Sequence, residues 1–437
     1  MSKQVTKTCV PKLRFPEFWG TGMWEEKPLG EIASFFKGKG LPKSAILPEG
    51  KNPCVHYGEL FTQYPEVIDA IKSHTDLNTN CFFSVRNDVL MPTSDVTPSG
   101  LAKSCCINLD GVILGGDILV IRTDNTSISG EYLARLIRYF EQKVLQLVTG
   151  STVFHLYASS LEKLTIFLPS LIKEQKKIAD CLSSIDELIT AHSQKIEALK
   201  AHKKGLMQQL FPSDGETVPK LRFPEFRDAG EWEEIKLINV ADKKIKWSFI
   251  GGPFGSNLKS SDYVTEGIRI IQLQNIGDAE FKDDYKIFTS EEKANELLSN
   301  NIYPDEIILS KMGDPVGRAC LIPSTHKRYV MCSDGIRLIV DQENFSKYFI
   351  YTLINSIEFR ALVEKTATGS TRKRIGLSDL KNLPMIVPKT KEEQQKIADC
   401  LSFIDDLITA QAKKIDSLKA HKKGLMQQLF PSTEALA

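Results

Sequence analysis

The chain contains no run of about 18 consecutive apolar residues, so no segment is expected to span a membrane. Met1 to Val10 lacks the apolar core of a secretory signal, which makes the cytoplasm the expected compartment. The nine cysteines are an odd number, only Cys105 and Cys106 are adjacent, and no C-x-x-C occurs. Neither a zinc site nor a disulfide framework is therefore expected, and reduced thiols suit a cytoplasmic chain. The seven histidines are scattered and form no ligand cluster, and His202 and His421 fall on surface positions of repeated helices. There is no H-E-x-x-H, no G-x-x-x-x-G-K-[ST] phosphate loop, and no N-P-P-[FYW] for holding a flipped base. Phe36 to Gly40 echoes the F-x-G-x-G of a methyl-donor pocket, but Pro42 follows and no helix opens there. No catalytic residue, metal site or cofactor of the chain's own is expected. An excess of positive charge is missing too, since the net charge is +1. A nucleic-acid partner would have to be met by locally concentrated cations or with the help of other subunits.

At 437 residues, 42% hydrophobic and 25% charged, the chain has the composition of a soluble globular protein with more than one domain. Its dominant feature is an internal repeat. The octapeptide at Pro11–Phe18 recurs identically at Pro219–Phe226, an offset of 208, and Trp24-Glu-Glu recurs at Trp232 with the same offset. Glu174–Ser213 matches Glu393–Ser432 at an offset of 219, with 32 of 40 positions identical. Between the matched blocks the two copies differ almost completely, and the second carries a net insertion of 11 residues. Uniform drift after duplication would blur both parts alike. The sharp boundary points to constant parts held to one geometry and variable parts free to differ.

The long repeats have the 3.5-residue apolar period of a coiled-coil seam. In the first copy the seam runs Ile178, Leu182, Ile185, Ile189, His192, Ile196, Leu199, Lys203, Leu206, Leu210. In the second it runs Ile397, Leu401, Ile404, Ile408, Gln411, Ile415, Leu418, Lys422, Leu425, Leu429. Glycine first interrupts at Gly205 and Gly424, and Pro212 and Pro431 close the helices. Lys203 and Lys422 read as edge residues whose stems cover apolar surface. His192 and Gln411 suit either that role or control of helix register. A helix of about 38 residues is about 57 Å long, more than the roughly 34 Å of one turn of B-DNA. Two such helices paired antiparallel would hold two globular blocks apart, over a split site with an unread gap.

The variable blocks, Trp19 to Pro169 and Phe226 to Pro388, are each large enough for one mixed α+β domain. Strands are expected at Val89–Met91, Gly111–Leu114 and Ile118–Ile121, and at Ile268–Leu273, Glu306–Leu309 and Ile336–Val340. Helical patterns follow at Glu131–Val148 and Phe345–Glu364. Each block then shares a T-G-S-T element, with Thr149, Ser151 and Thr152 in one copy and Thr368, Ser370 and Thr371 in the other. A glycine flanked by hydroxyl residues exposes donors suited to phosphate oxygens, although a plain helix-capping turn has the same composition. Arg372, Lys373 and Arg374 follow in the second copy, where the first has Val153, Phe154 and His155. Further candidate DNA contacts are Lys37 and Lys39 near Phe35 and Phe36, and Lys243, Lys244 and Lys246 beside Trp247.

The long repeats, with Ile178–Leu182 and His202–Phe211, resemble the conserved regions of type I restriction–modification specificity subunits. The lead-ins Leu161–Pro169 and Leu380–Pro388 are similar to the same family. The resemblance implies an α+β chain whose two target recognition domains are joined by two long helices forming an antiparallel coiled coil. The expected divisions are recognition domains at 1–169 and 214–388, conserved helical regions at 170–213 and 389–432, and a tail at 433–437. The resemblance also implies a non-catalytic DNA-recognition subunit that reads a bipartite site in double-stranded DNA. On its helices would dock two methyltransferase subunits, which bind S-adenosylmethionine and methylate adenine, and restriction subunits could join for cleavage.

Overall fold

The computed structural model describes residues 8–370 and 372–431; the expected tail 433–437 and Thr371 lie outside them. The chain divides into two compact units, 1–193 with 413–437, and 194–412. Two 39-residue helices, Ile172–Leu210 and Lys391–Leu429, each give an N-terminal half to one unit and a C-terminal half to the other.

In the first unit, the strand Ala33–Lys37 edges an antiparallel arrangement that continues through Ile118–Thr123, Asp88–Pro92 and Cys105–Ile107, with Val67–Ile68 added in parallel. In the second unit Phe249–Gly251, Gly335–Leu338, Ile307–Ser310 and Ala319–Leu321 repeat that order. The other main sheets correspond as well. Ser73–Thr75, Asn52–Val55, Ile113–Leu114 and Phe82–Phe83 match Ile287–Thr289, Ile268–Ile271, Tyr329–Met331 and Asn301–Ile302, with the middle pair parallel in both. The second unit adds an edge strand, Tyr263–Val264. Blocks with almost no common sequence thus share one topology, because alternating burial can be met by many side chains while strand order is kept.

The expected helices are each broken in two: Gly130–Tyr139 and Glu141–Leu145 in the first unit, Lys347–Ile354 and Ile357–Thr366 in the second. Phe140 leaves helical geometry at the first break, and Ser356 caps the restarted helix at the second by accepting from Phe359 N.

The identical repeat residues build identical joints. In the first unit the buried Glu174 carboxylate accepts two hydrogen bonds from Arg14, at 2.7 Å each, and one from Trp24 Nε1 at 3.2 Å. Glu393, Arg222 and Trp232 reproduce this in the second unit at 2.7, 2.8 and 3.1 Å. The amide of Gln175 accepts from Ser129 N and donates to Pro169 O, and Gln394 does the same with Ser346 N and Pro388 O. Each long helix thereby grips the start of a helix in the variable block. The helix ends are buried in turn, with Phe430 against Tyr132 and Tyr139, and Phe211 against Phe349.

Within the first unit Leu13 N donates to Gln428 O beside the Arg14–Glu174 pair, and Lys422 pairs with Asp186 at 2.5 Å. Numbering climbs on one helix as it falls on the other, so the two halves run antiparallel. Leu221 with Gln209, Arg222 with Glu393 and Lys203 with Asp405 give the same direction in the second unit. Every seam position is buried or half-buried, from Ile178, Leu182 and Ile185 to Leu210, and from Ile397, Leu401 and Ile404 to Leu429. His192 and Gln411 are half-buried among them. Lys203 and Lys422 are more than stems over apolar surface. Only 14% of each side chain is exposed, and each ammonium meets an aspartate of the other helix.

Candidate nucleic-acid interface

At one end of the first unit's antiparallel sheet, three loops meet. Lys37 ends the edge strand with its ammonium 3.4 Å from Asp117. Gly38 follows where a Cβ would collide with the Gly115 carbonyl oxygen, so only glycine permits this approach. Lys39 is exposed, and its N–H donates to Leu114 O. Asp117 O accepts from Thr93 N, and Thr93 O accepts from Leu156 N, which brings in the third loop. That loop is a hairpin closed by reciprocal hydrogen bonds between Thr149 and His155, at 3.0 and 2.7 Å. Thr149, Ser151 and Thr152 are all exposed on it, and His155 stacks on the exposed Tyr157.

The second unit repeats the site with other side chains. Thr368 and Arg374 close the corresponding hairpin at 2.9 and 2.8 Å, with Ser370 and Arg372 exposed. Ile375 N donates to Lys311 O, and Lys311 N donates to Asp334 O. Arg374 pairs with Asp334 at 2.8 Å, while Lys373 pairs with Glu364. The exposed Phe254 follows the edge strand two residues after Gly252, whose Cβ would collide with the Cys332 carbonyl oxygen. The first T-G-S-T element thus lies in a hairpin and not at a helix cap, and Thr368, Gly369 and Ser370 of the second stand in the corresponding hairpin. Thr371 lies outside the described residues.

Lys243, Lys244 and Lys246 are placed elsewhere, at the other end of the strand Phe249–Gly251. Strand register explains them. Ala33 and Lys37 pair with Thr123 and Leu119, while Ala241 and Gly251 pair with Val340 and Ile336. The partners are offset by 217 in both cases, but the edge strand shifts from 208 to 214. Six of the 11 inserted residues therefore bulge out between Ala241 and Phe249, carrying these lysines. Lys244 pairs with Glu343 at 2.6 Å, Lys246 lies 4.3 Å from the centre of the Trp247 ring, and Lys243 is exposed.

The structure thus gathers Lys37 and Lys39 with the Thr149 hairpin, and gathers the Arg372–Arg374 cations with Thr368 and Ser370. Asp117, Asp334, Lys311 and Phe254 belong to the clusters without any mark in the sequence. The two aspartates stand at an offset of 217, which neither matched block has, so no recurrence marked them. What the clusters offer is loops held by backbone hydrogen bonds and bearing hydroxyls, cations and exposed apolar groups, the chemistry of phosphate and base-edge contact.

Comparison with known proteins agrees with this architecture. The type I restriction modification DNA specificity domain matches twice, over residues 22–201 and 263–420. The type I restriction enzyme MjaVIII specificity subunit of Methanocaldococcus jannaschii is 25% identical over 423 residues, covering 96% of this chain and 93% of that protein. The fold is similar to the crystal structure of the type I restriction–modification S subunit from M. genitalium, with a TM-score of 0.58, 18% identity, and coverage of 97% and 100%. It is also similar to a chain solved for the complex assembly and conformational transition of the type I R-M system, with a TM-score of 0.55, 18% identity, and coverage of 94% and 98%.

Proposed function

Because the chain belongs to the type I restriction modification DNA specificity family, we propose that each unit reads one half of a bipartite DNA site through its loop cluster. The observation that carries this reading is a pair of equivalent sites on one strand order, filled with different side chains. Equal placement with unequal chemistry is what two readers of unlike half-sequences need. The near-zero net charge fits cations confined to the reading loops, with partner subunits supplying further backbone contact.

Chemistry falls to the partners. Two methyltransferase subunits dock on the repeated helical segments, bind S-adenosylmethionine and methylate adenine in the cytoplasm, and the same assembly can take up restriction subunits for cleavage. This chain positions them without a catalytic centre. Exchange of a variable block changes base contacts while the Glu174 and Glu393 joints keep the helices in place.

Methylome sequencing of a host expressing the chain with its neighbouring methyltransferase gene tests this. A split motif is expected, and exchange of one variable block should alter one half of it only. Methylation unchanged by either exchange would mean a scaffold that does not touch DNA. Calorimetric binding of S-adenosylmethionine by the isolated chain would mean a methyltransferase in its own right.

A further inference from the structure

The hairpins Thr149–His155 and Thr368–Arg374 are the same seven-residue loop, 219 positions apart and closed by the same reciprocal hydrogen bonds. Val153 stands where the second unit has Arg372, Phe154 where it has Lys373, and His155 where it has Arg374. The three cations differ in what holds them. Lys373 is neutralised by Glu364 and Arg374 by Asp334. Arg372 is exposed and meets no carboxylate among the described residues. The backbone beside it is nevertheless constrained. Gly369 has φ +107°, and a Cβ there would come within 2.7 Å of the Arg372 carbonyl oxygen.

A guanidinium fork fits phosphate oxygens as well as base edges, and the experiment below separates the two. The guanidinium of Arg372 sits on a loop closed by two backbone hydrogen bonds, and its planar fork of donors matches O6 and N7 of guanine in the major groove. Resting on the reading above, we propose that Arg372 is a specificity-determining residue that reads a guanine in the half-site of the second unit. Val153, an exposed apolar group at the equivalent point, makes no such contact in the first.

The test uses the complete methyltransferase complex in a host, as wild type and as Arg372→Ala, with methylomes compared. The half-site belonging to the second unit is the one that changes on exchange of its variable block. That half should contain a G·C pair at which Arg372→Ala relaxes discrimination about 5- to 150-fold. The first half should remain unchanged, which reports a folded chain. Three results overturn the proposal: a second half with no G·C pair, an unaltered motif, or a uniform fall in methylation at all sites, the signature of a phosphate contact. Should the variant abolish methylation, binding of the purified wild-type complex to duplexes carrying each base pair at every G·C position of that half decides. Loss of preference for guanine at all of them overturns the proposal as well. A wild-type complex that methylates no split site removes the underlying reading along with this one.

Discussion

Replacing Glu174 by glutamine removes the charge on which three parts of the first unit converge. Its side chain is 1% exposed and that of Arg14 is 7%, so the variant leaves a guanidinium buried without its counter-ion. Breaking a buried pair in this way costs about 3–5 kcal/mol. Arg14 keeps its bonds to Gly22 O and Thr21 Oγ1, both 2.7 Å, which places the loss near the lower end, about 3 kcal/mol. For a domain of this size each kcal/mol lowers the melting temperature by about 2–4 °C, so a fall of about 6–12 °C is expected. The two units have separate buried cores, so scanning calorimetry should show the transition of the first unit moving while the second holds. Glu393→Gln should do the reverse. The double variant Arg14→Met/Glu174→Leu should recover at least half of the loss, because apolar replacement of a whole buried pair is often neutral. A shift below about 2 °C, or an equal shift of both transitions by either single variant, would mean that the buried pair does not hold its own unit together.

Acid should act on the first unit through Glu66. Burial pushes its carboxyl upward, but Arg138, Lys422 and Arg135 outweigh burial and hold it below the ordinary carboxylate range. A depressed carboxyl contributes stability above its unfolded value, and that stability is lost as pH falls through the folded value, so melting midpoints should drop below about pH 4.3. Glu66→Gln should flatten that acid limb, and an acid limb identical to wild type would count against it. Gly38→Ala should lose the first half-sequence from the methylome and Gly252→Ala the second, each by driving a methyl group into a facing carbonyl oxygen. Normal methylation by either variant would show that the close approach is dispensable. Deleting one heptad from both long helices shortens them by about 10.5 Å, close to three base pairs. The unread gap should shrink accordingly or methylation should cease, and an unchanged gap with full methylation would separate helix length from spacing.

Much of the architecture is legible in the residues, because periodicity is local. The 3.5-residue spacing from Ile178 to Leu210 and from Ile397 to Leu429 specifies two long helices whatever surrounds them. Short apolar runs such as Val89–Met91 and Ile118–Ile121 locate strands for the same reason. The break at Phe140 is not legible, since the apolar pattern continues across it and packing alone decides where the helix restarts. The lysines at Lys203 and Lys422 show a similar limit. Their seam positions are plain in the sequence, but Asp405 and Asp186, the carboxylates that bind them, lie 202 and 236 residues away.

A twofold chain of constant helices and unlike inserted blocks can be read from residue order alone. Repetition and periodicity are properties of neighbouring residues, and they survive without coordinates. Packing in three dimensions settled that the unlike blocks share one strand order, that six inserted residues carry Lys243–Lys246 out of the edge strand, and that Arg372, unlike Lys373 and Arg374, meets no carboxylate among the described residues. Each of these depends on hydrogen-bond register or ion pairing between distant segments. The free energy that selects such partners comes from burial and geometry, which the linear order of residues does not display.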